Sequence, residues 1–161
     1  MRVIIAVNEP EIAKDVAAGA LDYGISADDR VAVVSVVTSH GEPWTASPLH
    51  EQQIDPKLDS KASQAIDSAA QLLRKSLVPE QVQEFKLYGH VHEEIAHFAE
   101  SLGAELVVIG FSGHYRESHR NQQIVDACNC PVLIVGSNHL DETSALRLRK
   151  RGWWHEPSYI I

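Results

Sequence analysis

Cysteine is scarce in this chain: only Cys128 and Cys130 occur among 161 residues. A single C-x-C lacks the second half of a zinc site and cannot staple a domain of this size. Both residues read as reduced core thiols near a helix–strand junction, which suits a cytosolic protein. Basic charge is also short. Fourteen Lys and Arg face 22 Asp and Glu, for a net charge of -8. That balance excludes a general nucleic-acid binder, because attraction to phosphate backbones needs a basic face. Long apolar runs are missing as well. The opening "MRVIIAVNEP" is too short for a signal-peptide core and has no small-residue cleavage site, and no stretch approaches a membrane span. A cytoplasmic protein is the expectation.

What is present is ordinary for a globular domain. With 44% hydrophobic and 22% charged residues, the body is not disordered, and its length fits one domain with a sizeable core. Runs of strand length stand at 2–7 ("RVIIAV"), 30–37 ("RVAVVSVV"), 105–110 ("ELVVIG") and 130–136 ("CPVLIVG"). Their lack of polar alternation predicts strands covered on both faces. "QVQEFKLYG" (81–89) alternates instead and predicts an edge strand.

Between these runs the period is helical. Ile12, Val16, Ala20 and Tyr23 share a face before Gly24, a C-cap residue. Residues 58–77 and 91–102 continue the pattern, the latter ending at Gly103. A fourth helix is expected over 118–128, with Ser118 as its N-cap. Strand–helix alternation through five strands predicts a doubly wound parallel sheet, with ligands bound at the carboxyl ends of the strands. Two segments fall outside that plan. Residues 38–57 hold three prolines and read as a long loop or lid. Residues 137–161 form a C-terminal extension, basic over Arg147–Arg151 and aromatic at Trp153 and Trp154.

One stretch carries most of the chemistry: "VVIGFSGHYRESHRNQQIVDACNCPVLIV", residues 107–135. It opens like a phosphate-binding turn, with Gly110, two residues and Gly113. His114, Arg116, His119 and Arg120 then crowd a few positions. Glycines let backbone approach a phosphate, and amides at a helix start hold an anion.

The "IIAV" start, "ESLGAELVVIGFSG" and "CNCPVLIV" together resemble the universal stress protein family over residues 1–136. The resemblance implies a five-stranded parallel sheet in a Rossmann-like, adenine nucleotide alpha hydrolase-like three-layer sandwich. It also implies a homodimer paired through the last strand, residues 130–136. Many members bind ATP through G-x-x-G, nine residues, then G-[S/T]. Here Ser118 and His119 stand where the second glycine pair belongs, and only four residues separate Gly113 from Ser118. The loop is thus about five residues shorter than the family pattern, and Asn8 replaces the usual Asp after strand 1.

Carried onto this chain, the nucleotide site comprises Asn8 and Val36 at the adenine end, with Ile109, Gly110 and Gly113 under the phosphates. Arg116, Ser118, His119, Arg120 and Asn121 stand at the anion end. The expected ligand is ATP, ADP or AMP, with no metal beyond nucleotide-bound Mg.

Other readings compete. Gly110 and Gly113 suit any strand-to-helix turn, the Arg/His cluster suits a solvated loop, and Ser118 suits a plain cap. His90, His92, Glu93 and His97 invite a metal, but their spacing does not match a two-His helical site, so a surface histidine cluster is expected. Ser112 or Ser118 with His114 or His119 lacks a nucleophile-elbow context, so no catalytic constellation is assigned and at most weak ATP hydrolysis is expected. The alternative to nucleotide binding is a dimeric scaffold working through protein contacts, including a partner held by the C-terminal extension.

Overall fold

The computed structural model describes residues 1–38, 54–113 and 115–136. Most of the expected lid and all of the C-terminal extension lie outside the described residues.

Five strands form a wholly parallel sheet: β1 (Arg2–Ala6), β2 (Arg30–Val37), β3 (Val82–Tyr88), β4 (Leu106–Phe111) and β5 (Val132–Gly136). Four α-helices alternate with them: α1 (Pro10–Tyr23), α2 (Pro56–Ser76), α3 (Val91–Leu102) and α4 (Tyr115–Ala127). The spatial order is β3-β2-β1-β4-β5. The order of strand addition therefore reverses between β1 and β4, and the connections leaving their carboxyl ends go to opposite faces, which opens a crevice there.

Continuous apolar runs were the strand signal, and burial explains them. Val3, Ile4 and Ile5 are all fully buried although successive side chains point to opposite faces. Val3, Ile5, Val31 and Val33 pack under α1 and α2, while Ile4, Ala32 and Val34 pack under α3 and α4. β3 is the alternating strand and lies at an edge, as its pattern predicts. Its half-buried Phe85 meets Phe98 of α3 with ring centroids 4.9 Å apart.

Local chemistry sets the helix ends. Asp55 caps α2 by accepting from Lys57 N at 2.9 Å, and Pro56 occupies the first turn, so the helix starts two residues before its expected position. Gly103, at φ 66°, closes α3 where the sequence predicts. One correction concerns α4. It begins at Tyr115, not after Ser118, so Ser118 lies inside the helix and is not its N-cap.

Helix α1 approaches the sheet unusually closely. A Cβ at position 19 would stand 2.3 Å from Val135 Cγ1, and one at position 110 would stand 2.6 Å from Val16 Cγ2. Glycine at both positions is what lets α1 settle across β4 and β5.

Candidate functional site

The crevice between β1 and β4 holds a small cleft on the α3–α4 side of the sheet. Its floor comes from strand ends: Asn8 just after β1, Val36 of β2, and Ile109 and Gly110 of β4. Val91 and Ile95 of α3 form one wall. Glu117, Arg120, Asn121 and Ile124 of α4 form the other. The helical residues fall at spacings of three and four, so one stripe of α4 faces the cleft.

Six of the ten expected site residues meet here: Asn8, Val36, Ile109, Gly110, Arg120 and Asn121. Gly113, Arg116, Ser118 and His119 do not line the cleft, and Gly113, Arg116 and His119 are exposed. The geometric reason is the early start of α4. Once the helix begins at Tyr115, its inward stripe is 117, 120, 121 and 124, and positions 116, 118 and 119 turn away.

Asn121 is the most buried polar group of the cleft, at 3% exposure, and its Nδ2 donates to Gly110 O at 3.0 Å. That bond ties α4 to the end of β4. Gly113, at φ 102°, makes the turn that follows, a conformation costly for any side chain. Glu117 then reaches back across the turn. Its Oε2 accepts from Ser112 N at 2.9 Å and from the Ser112 hydroxyl. This is the role of a capping-box glutamate at the third helical residue, satisfying donors just before the helix.

Glu117 is the residue that sequence reading passed over. A capping box is recognised by Ser and Glu three positions apart, and here the pair is five apart. Its position also matters chemically. In a phosphate-binding turn the free amide after the strand is the anion's partner, and here a carboxylate already holds it.

The cleft is about 40 Å³, whereas small-molecule sites are typically several hundred, roughly 300–1,000 Å³. Its chemistry is mixed: an apolar base, two neutral amides at Asn8 and Asn121, one guanidinium at Arg120 and one carboxylate at Glu117.

The other expected constellations look different in three dimensions. Ser112 Oγ is engaged by Glu117, an arrangement with no described histidine to act as base. His92 Nε2 lies 4.0 Å from Glu93 Oε1, an ion pair only when the imidazole is protonated. Among the described residues no three His, Cys, Asp or Glu side chains are grouped to hold a metal ion. Cys128 and Cys130 are free and half-buried between α4 and β5, and burial, with Cys130 adding a second push, raises the Cys128 thiol to about 11. No helix among the described residues is long and apolar enough to cross a membrane.

Comparison with known proteins points one way. The family model described as the universal stress protein family matches residues 1–136. Among solved structures, universal stress protein UspA from Lactobacillus plantarum is similar with a TM-score of 0.61 at 18% identity, covering 83% of this chain and 96% of its own. A universal stress protein family protein from Arabidopsis thaliana, with AMP bound, gives 0.59 at 15% identity over 90% and 98%. A universal stress protein in complex with cAMP gives 0.59 at 14% identity over 86% and 98%. No curated protein sequence matches the chain.

Proposed function

The chain belongs to the universal stress protein family, and from that premise we propose that it works by binding and regulation, not turnover, with an adenine nucleotide or nucleoside as ligand of the β1–β4 cleft. The observation that carries this reading is the position of the cleft. It sits at the reversal of strand order, with Asn8 and Val36 on one side and Gly110, Arg120 and Asn121 on the other. The Asn8 amide both donates and accepts, as the hydrogen-bonding edge of adenine requires. Arg120 is the Arg or Lys among the residues that line the cleft, and its guanidinium suits an anionic group of a ligand. Similar structures with AMP and with cAMP bound support the reading at the level of fold.

A homodimer is part of the proposal. β5 pairs only with β4 among the described strands, so its outer edge is available for a second copy. Any Mg would arrive with a nucleotide.

A second reading, a scaffold that holds no nucleotide, is favoured by one specific observation: the cleft is small and Glu117 occupies the Ser112 amide. Native mass spectrometry of gently purified protein, titrated with ATP, ADP and AMP, separates the two. Saturable binding near one ligand per chain supports the first. A dimer indifferent to all three supports the second and directs attention to the C-terminal extension.

A further inference from the structure

We propose that Glu117 is a built-in anion seated in the phosphate position of the cleft, and that the ligand class is therefore the uncharged adenine nucleoside in preference to its phosphorylated forms. The inference rests on the adenine reading above and narrows it.

Three observations carry it. First, the amide that a phosphate would need, Ser112 N, already donates to Glu117 Oε2 at 2.9 Å, and the Ser112 hydroxyl donates to the same oxygen. Second, Glu117 is a cleft wall residue and its Oε1 takes no hydrogen bond from the described residues, so the carboxylate keeps acceptor capacity. Third, Asn121, one turn beyond Glu117, is buried and bonded to Gly110 O, which ties the helix that carries Glu117 to the end of β4.

A phosphate brought to this turn meets a carboxylate at contact distance, and like charges at that range in a half-buried cleft repel strongly. A nucleoside brings its 5′-hydroxyl to the same place, one donor that a carboxylate accepts well. The one residue thus rejects one ligand class and recognises the other. Arg120 lies one turn along the same helix face and moderates the repulsion without removing the competition for the Ser112 amide.

The test is calorimetric titration of the full chain with adenosine, AMP and ATP, on wild type, Glu117→Gln and Glu117→Ala. Glu117→Gln keeps the shape and an acceptor for Ser112 while removing the charge, so misfolding is not expected, and circular dichroism checks it. Wild type should bind adenosine at least tenfold more tightly than ATP. Both variants should shift that ratio towards ATP by tenfold or more, with Glu117→Ala also losing affinity for adenosine. Equal or tighter binding of ATP by wild type, or a ratio unmoved by either substitution, overturns the inference while leaving the adenine site standing. Failure of all three ligands on all three proteins overturns the adenine reading and this inference together.

Discussion

The two faces of the sheet are packed to different standards. On the α1–α2 side, small residues such as Ala13, Ala17, Ala65 and Ala69 meet Val3, Ile5, Val31 and Val33, and all are buried. The helices can sit close, and Gly19 brings α1 closer still. The α3–α4 side has fewer fully buried residues and completes its core with half-buried Phe85, Leu87, Val91, Phe98 and the two thiols. The cleft lies on this second side. Room for a ligand is found where packing is least finished, and the tight face serves as the platform that holds the strand ends in place.

The sharpest test of that contrast is a pair of truncations. Leu73→Ala, on the tight face, should cost roughly 2–5 kcal/mol, since Leu73 is fully buried. Ile95→Ala, beside the cleft, should cost at least about 1 kcal/mol less, because the cleft wall can relax into the space. Urea midpoints at constant slope measure both, and the reverse order would show the second face to be the tighter.

Next in size is Gly110→Ala, expected to cost about 1–3 kcal/mol through overpacking. The double mutant with Val16→Ala should recover most of that loss, since Val16 is the atom group in the way. Independent effects of the two changes would place the strain elsewhere.

A smaller effect of opposite sign is expected at Ser35. Its hydroxyl is buried at 1% exposure and is the one buried side-chain polar atom without a hydrogen-bond partner among the described residues. Ser35→Ala should raise stability by up to about 1 kcal/mol, and a loss in thermal melting would mean the hydroxyl has a partner after all. The smallest effect is chemical. With its thiol near 11, Cys128 carries little thiolate at pH 8 and should alkylate with iodoacetamide about a hundredfold more slowly than an ordinary exposed cysteine. Because the fold favours the neutral thiol, its contribution to stability is complete below pH 9 and declines as pH rises towards 11. Fast alkylation of the native protein at pH 8 would show that the junction opens.

The tight face was also the more legible one. Unbroken runs such as "RVIIAV" and "RVAVVSVV" can arise only where both faces of a strand are covered, so strand positions and sheet type followed from them. The end of α3 was equally readable because Gly103 adopts the left-handed conformation its type favours. The start of α4 was not. "HYRESHR" has no apolar period to mark a helix, and Ser118 imitates a cap. What sets the boundary is a side chain reaching back five residues, a contact that short-range patterns do not encode. The site was accordingly legible in its strand-borne half, Asn8, Val36 and Gly110, and only partly in its helical half, where Arg120 and Asn121 face inward but a shift of three residues turns positions 116, 118 and 119 away.

Gly110 offers backbone to the cleft on one side and an empty notch to Val16 on the other. It is a wall with two tenants. A mutational scan of this protein that scores ligand binding alone will register loss at position 110 and credit it to the ligand, when the first thing any new side chain strikes is helix α1 on the opposite face. Assigning that residue correctly requires stability and binding to be read from the same variant.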